Sequence, residues 1–452
     1  MITWRAPALL LALGIPTVAV TTALGVSPWL PLAIVLGVVL LLILADLLIA
    51  APAGEVTLRR SGPTQVRLGD RVTVTLSVTN DSVRLLRALV RDAWEPSAGA
   101  APPYAHPVDV EPGASTTIET SLTPTRRGDR SAVRVTIRSY GPFALAYRQT
   151  SRRRSAAITP PWTLTVLPEF RSRRLLPEKL SRLRVIDGQV VTRGRGQGGE
   201  FDSLRDYVIG DDPRSIDWRG SARRDHLVVK QWRPERDRRV LCVLDTGRTS
   251  AGRIGTAADP LNADTTGEPR LDIAIDSALL LASLATHAGD RVDLLAVDTH
   301  TRANAEARSK RALPKLLTTL AGLTPSLVET DFGRVVAEVL ALERKRALVV
   351  LFTSLDPGAL GEGLLPALPR LIARHTVVLA AVHDPALDAL AAARDDIGSL
   401  HTAAAAERGL AELRRVRSAL SRHGVHVIDE PAETFASVVA DTYLNLKAAG
   451  RL

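Results

Sequence analysis

The run from Ala6 to Ala45 contains no charged residue, and nothing else in the sequence limits the possible folds as tightly. Gly25, Ser27 and Pro28 break it into two apolar stretches, residues 6–24 and 29–50. Each is about twenty residues, enough for a helix to cross about 30 Å of hydrocarbon with its backbone satisfied internally. A signal peptide is the rival reading. The first stretch exceeds a usual h-region and a second, more apolar one follows at once, so the pattern predicts a membrane hairpin over residues 1–54. Asp46, near the end of the second span, reads as a boundary residue at the interface. Arg5 precedes the first span, Arg59, Arg60 and Arg67 follow the second, and the turn between them is uncharged. That distribution predicts a multi-pass protein of the cell membrane with both termini and the soluble part in the cytoplasm.

The remaining 400 or so residues can bury a large core and divide into two or three domains. Hydrophobic residues make up 46% of the chain and charged residues 23%, the balance of a globular protein. Aromatics are only 4%, which argues against surfaces that stack sugars or single-stranded nucleic acid; no nucleic-acid partner is expected. The net charge of +10 is rich in arginine, as at Arg152, Arg153 and Arg154, and beside a membrane segment it suits anionic lipid. Cys242 is the single cysteine, so no intrachain disulfide or cysteine-based zinc site can form, and it reads as a small core residue.

Residues 55–150 read as an all-β, sandwich-like domain. Residues 71–78 alternate as RVTVTLSV after a Gly69 turn, and further short strands follow Gly113 and Gly128. Residues 151–198 form a basic, glycine-rich connector. Gly194 to Gly199 read GRGQGG; without the spacing of a phosphate-binding loop, this is a hinge. Residues 199–238 carry a dense block of charge: Glu200, Arg205, Asp211, Asp212, Arg214, Asp217 and Arg223, with Trp218 among them. Paired this closely, the acids and arginines can satisfy one another beside a buried Trp218. They read as a structural clasp, with a recognition surface as the sharper alternative and a catalytic acid/base pair as the weakest.

From residue 239 to 452, buried-looking strands alternate with helical patterns. Strands are expected at 240–244, 291–297, 347–352, 376–382 and 425–428. Helices are expected at 271–287, 315–320, 332–342, 363–374, 387–422 and 433–449. This predicts an α/β doubly wound sheet, mostly parallel, with helices on both faces. Three strand ends or loops then matter: Asp245 to Thr249, Thr330-Asp331, and Thr353 to Gly358. Their carboxylate and hydroxyl oxygens suit Mg²⁺, Mn²⁺ or Ca²⁺. The bland reading is that Asp245 and Asp356 cap loops and Thr330 caps a helix. The histidines fall at no metal-ligand spacing, and no Ser-His-Asp arrangement is evident.

The pattern Asp245, Thr249, Thr330 and Asp356 resembles the von Willebrand factor type A fold and its metal-ion-dependent adhesion site, which uses an Asp-x-Ser-x-Ser run, a Thr and a further Asp. Gly247 stands where the first Ser of that run is expected, so the implied metal site is degenerate. The ordered run from Glu200 to Tyr207, Gly210 to Trp218 and Ser221 to Arg223 resembles the signature of the family called "domain of unknown function 58". That resemblance implies a membrane hairpin, a β-rich domain and a von Willebrand A-like domain, and a partner of the MoxR-type AAA ATPase class. The expected function is that of a membrane-anchored, non-enzymatic interaction protein that binds through the carboxyl edge of the A-like domain. A divalent-metal-dependent hydrolase and an anionic lipid or nucleic-acid binder are the alternatives.

Overall fold

The computed structural model describes residues 1–193, 200–209, 211, 213–224, 226–233, 238–256, 259, 261, 267–307, 310–393 and 397–452. The expected hinge at Gly194 to Gly199 and Asp212 of the expected clasp lie outside these residues. The chain divides into two units, Met1–Leu167 and Pro168–Leu452.

The first unit opens with two helices, α1 (Arg5–Ala23) and α2 (Trp29–Ile49), both long and apolar enough to cross a membrane. α1 holds three threonines, and each hydroxyl bonds back to a carbonyl one turn earlier, as Thr17 does to Leu13 at 2.6 Å. None of the three hydroxyls therefore asks for water. Two sheets follow. The smaller has the order β1-β3-β6, from β1 (Val56–Ser61), β3 (Val72–Asn80) and β6 (Ser115–Leu122). The larger has the order β2-β9-β7-β4-β5, with β8 beside β7. Its strands are β2 (Gln65–Arg67), β4 (Leu86–Trp94), β5 (His106–Val110), β7 (Gly128–Tyr140), β8 (Tyr147–Gln149) and β9 (Thr163–Leu167). Alternation along β3 sends Leu76 and Val78 inward, where they meet Leu86, Val90, Val135 and Ile137 of the other sheet. One apolar face per sheet, pressed together, is the sandwich solution.

The second unit begins with a 3₁₀ turn, Arg171–Leu175, and the helix Leu176–Arg193, within the stretch read as a connector. A two-stranded antiparallel ribbon comes next, β10 (Glu200–Asp206) with β11 (Val228–Arg233). The main sheet has the order β16-β15-β12-β17-β18-β19. Its members are β12 (Arg239–Asp245), β15 (Arg291–Val297), β16 (Thr301–Ala307), β17 (Leu348–Phe352), β18 (Thr376–Val382) and β19 (His426–Glu430). All are parallel except β16, an antiparallel edge strand paired with β15. Sequence pattern did not single out β16, because TRANAEA lacks the apolar run of a buried strand. A two-strand minor pair, β13 (Arg253–Ile254) with β14 (Glu268–Pro269), sits between β12 and the next helix.

Both faces of this sheet are covered, which explains why β12 is apolar at every position from 240 to 244. Val240, Cys242 and Leu244 pack on one side with the helices Arg270–His287 and Ala432–Ala448. Leu241 and Val243 pack on the other, with the helix Phe332–Leu342 and Leu420 of the helix Ile397–Arg422. Cys242 is fully buried, and that burial pushes its thiol up to about 12, so it behaves as an inert core atom.

Candidate functional site

After β12 the chain moves outward to β15 and β16, then returns to place β17 on the other side of β12. The winding direction reverses at β12/β17, and in open α/β sheets the crevice outside the carboxyl ends at such a point is where ligands bind. Asp245 ends β12, and Thr353 follows β17. The two meet there: the Thr353 hydroxyl donates to Asp245 Oδ2 at 2.6 Å. Thr249 donates to the same oxygen at 3.1 Å. Asp245 Oδ1 accepts the Gly247 N–H at 2.8 Å and the Thr330 hydroxyl. One buried carboxylate thus gathers donors from three loops.

The loop before the helix Phe332–Leu342 is knitted to the β12 loop as well. Ser326 N–H donates to the Thr246 carbonyl at 2.7 Å, Arg248 N–H donates to the Val328 carbonyl at 2.8 Å, and Arg248 pairs with Glu329. That approach leaves no room for a side chain at Gly247, where a Cβ would overlap Thr330 Oγ1 and lie 2.9 Å from the Val328 carbonyl. The glycine in place of a hydroxyl residue has a steric reason. The helix cap expected of Thr330 belongs instead to Asp331, whose Oδ1 accepts the Arg334 N–H at 2.9 Å. Thr330 stands one residue before the cap position, and its hydroxyl donates to Asp245.

Asp356 closes its own turn, accepting the Ala359 N–H at 2.9 Å. It also lines a cleft of about 500 Å³ with Thr249, Arg270, Ser354, His383 and Asp429. Arg270, at the start of its helix, donates to the Thr249 carbonyl at 2.7 Å, while its buried Nε has no partner among the described residues. Burial lowers its pKa, and Asp384, Asp245, Asp356 and Asp429 oppose that. Ser354 Oγ is also buried without a partner among the described residues. His383 follows β18. Its Nε2 lies 2.6 Å from Asp388 and its Nδ1 3.4 Å from Asp429. The hydrogen bond to Asp429, with that to Asp388, outweighs burial and raises its pKa to about 9, so it is an imidazolium at neutral pH.

Asp298, just past β15, completes this edge. Burial alone would raise its pKa, but the His300 N–H at 2.9 Å and Arg302 at 2.6 Å hold it down at about 2. Arg270, Thr353, His383 and Asp298 carry the same logic as Asp245, a polar residue at or facing a strand's carboxyl end. His383-Asp384-Pro385, directly after the apolar run of β18, is the readable signal among them.

For a cation, the hydroxyl oxygens of Thr249 and Thr330 and the carboxylate of Asp245 are a partial donor set. The positive charge of Arg270 already stands beside that set, and Gly247 supplies no side-chain oxygen. Among the described residues no group of three or more His, Cys, Asp or Glu side chains could hold a metal ion.

Part of the charged block upstream lies among the described residues. Arg205 and Asp211 make a two-pronged pair at 2.6 and 2.8 Å, and Asp211 also accepts the Val208 N–H. Glu200 sits opposite Arg233 in the β10–β11 ribbon, Arg214 lies in the 3₁₀ turn Pro213–Ser215, and Arg223 is exposed. Asp217 stands before the single-turn helix Trp218–Ser221 but makes no side-chain cap. Trp218, expected to be buried, is 66% exposed. Val228 and Val229, successive residues of β11 that point to opposite faces of the ribbon, are buried there instead.

A family model described as "Protein of unknown function DUF58" matches residues 203–422, which spans the ribbon and most of the main sheet. Among curated proteins the chain is similar to uncharacterized proteins of Mycobacterium bovis and Mycobacterium tuberculosis, each 27% identical over 194 residues. Those matches cover 42% of this chain and 56% of each relative, so the chain spans little more than half the length of the curated relatives it matches. Among solved structures, the PilB minor pilin from Streptococcus sanguinis aligns over 80% of this chain and 88% of its own at 7% identity, with a TM-score of 0.30. A likeness that low supports no argument about fold or function.

Proposed function

We propose that this chain is a membrane-anchored, non-enzymatic interaction protein of the domain-of-unknown-function-58 family, and that its second unit binds a partner at the carboxyl edge of the main sheet. The observation that carries this reading is the convergence of Asp245, Thr249, Thr330 and Thr353 at the β12/β17 switch point, beside a cleft of about 500 Å³. Residues 239–452 then act as a von Willebrand factor A-like domain whose metal site is degenerate. Residues 55–150 carry it on the hairpin of residues 1–54, and residues 151–198 and 199–238 serve as connector and clasp.

The proposed partner is a MoxR-type AAA ATPase in envelope-related or assembly work, with both soluble units on the cytoplasmic side. The alternating charges of Arg248, Arg270 and His383 against Asp356, Asp384 and Asp429 suit selective docking more than turnover, because no activated nucleophile stands among them. Co-purification of the full chain with such an ATPase, lost in Asp356→Ala, tests the proposal; retention in that variant refutes it.

A second reading places Mg²⁺, Mn²⁺ or Ca²⁺ at Asp245, Thr249, Thr330 and Asp356. The meeting of Thr249 and Thr330 on Asp245 favours it, with Asp356 on the wall of the adjoining cleft. Calorimetric titration of the full chain with each ion, repeated with Asp245→Ala, tests it: heat in the intact chain alone supports a cation, and no heat in either rejects it.

A further inference from the structure

The opposite edge of the main sheet holds a second cleft, of about 470 Å³. Its polar lining comes from Arg346, His375, Thr376, His423, His426 and Arg451, and among the described residues no carboxylate side chain lines it. These residues are distant in sequence but share one place in the topology. Arg346 precedes β17, His375 and Thr376 stand at the start of β18, and His426 opens β19. The three strands are neighbours and parallel, so their amino ends meet.

Local structure fixes the set. The helix Ile397–Arg422 ends where Val425 N–H returns to the Leu420 carbonyl, with Gly424 in the left-handed region at φ +84°. That turn carries His423 and His426 to the cleft. Thr376 Oγ1 donates to the Arg451 carbonyl at 2.9 Å and tethers the end of the helix Ala432–Ala448 there. Arg346 Nη2 lies 3.5 Å from the same hydroxyl.

His375 is the residue that points to a ligand. It is 4% exposed, yet neither ring nitrogen has a hydrogen-bond partner among the described residues. Buried polar groups are nearly always paired, so a residue that lines a cleft with both ring nitrogens buried and unpaired among the described residues marks a place for a partner. Burial lowers its pKa, with Glu343 opposing and Arg374 assisting, so at neutral pH the ring carries one N–H donor. Around it stand two arginines and two further histidines. Donors and positive charge without a lining carboxylate select an oxyanion, and arginine is the side chain best shaped for phosphate. The volume exceeds what one phosphate fills, and Pro369, Ile372 and Val377 supply apolar wall.

We propose that this cleft binds a phosphoryl group, held by Arg346, His375, His423, His426 and Arg451 at the amino edge of the sheet. The site is independent of the carboxyl-edge reading and stands whether or not that reading does.

The test is calorimetric titration of the full chain in detergent micelles with two probes, inorganic phosphate and phenyl phosphate. Tighter binding of phenyl phosphate identifies a phosphate ester as the source of the group; tighter binding of inorganic phosphate identifies the free ion. Arg451→Ala and His375→Gln are each expected to weaken binding about tenfold. Arg415→Ala, which removes an exposed charge from the helix Ile397–Arg422 away from the cleft, is expected to leave it unchanged. Arg451 is exposed, so its variant reports on binding even where His375→Gln impairs folding. No binding of either probe, equal binding by Arg451→Ala and the intact chain, or equal weakening by Arg415→Ala overturns the proposal.

Discussion

Asp46, in the last turn of the second apolar helix, accepts the backbone N–H of Phe143 at 2.8 Å, a bond that ties the hairpin to the β-sandwich. The same carboxylate also takes the N–H groups of Leu145 and Ala146, and it is fully buried. The start of the hairpin is fastened to the same loop: Thr3 N–H donates to the Leu145 carbonyl at 2.9 Å, and Ile2 bridges Ala146. The two ends of the hairpin therefore meet one turn of the sandwich. Asp46 is more than the boundary residue its position suggested.

Asp46→Ala strips three N–H groups, two of them buried, of their acceptor at once. It is expected to destabilise the first unit by about 3 kcal/mol, since each unsatisfied buried group costs about 1–3 kcal/mol. Gly141→Ala should act in the same direction, because a Cβ there would overlap both the side chain and the backbone of Asp46. Thermal unfolding of the purified chain in detergent measures both. Unfolding midpoints equal to that of the unaltered chain would show that the loop and helix are not coupled as described.

Gly247→Ala tests the packing at the carboxyl edge. The added methyl meets the Thr330 hydroxyl and the Val328 carbonyl, so Thr330 must leave Asp245. The expected result is a loss of about 1–3 kcal/mol, the range for overpacking. Adding Thr330→Ala to Gly247→Ala should restore part of it. A fully stable Gly247→Ala would mean that the loop has room the geometry denies it.

His383 makes a pH prediction. Its native pKa of about 9 lies above the value of about 6.5 for an unperturbed histidine. The native state thus holds the proton more tightly than the unfolded chain. The stabilisation is complete below pH about 6.5 and is lost as the pH rises through 9. Unfolding midpoints measured from pH 6 to pH 9.5 should fall more steeply for the intact chain than for His383→Gln. Parallel curves would remove the imidazolium from the cleft.

Much of this architecture is legible in the sequence. Two apolar stretches become α1 and α2, and period-two alternation at RVTVTLSV becomes β3. Continuous apolar runs become the strands buried on both faces, with β15 and β18 at the residues expected. What pattern does not show is pairing in space. The β16 strand is half polar because it sits on an edge. Thr330 looked like a cap because Thr330-Asp331 precedes a helix, but the helix begins at Phe332 and puts Asp331 at the cap, while Thr330 donates across the edge to Asp245. Trp218 looked buried because tryptophans usually are, and its 66% exposure in a single-turn helix is a tertiary outcome that the pattern of charges around it does not show. Arg270 carries no motif; its place is visible only once β12, β17, β18 and β19 bring four aspartates around it.

The most direct test of the central claim is the affinity of the full chain, in detergent, for a purified MoxR-type AAA ATPase, compared with Asp245→Ala and Asp356→Ala. The account predicts binding by the intact chain and a loss of about tenfold or more in each variant, or about 1.4 kcal/mol and above. Binding of equal strength by all three would contradict it, because the carboxyl edge of the main sheet would then not be the contact.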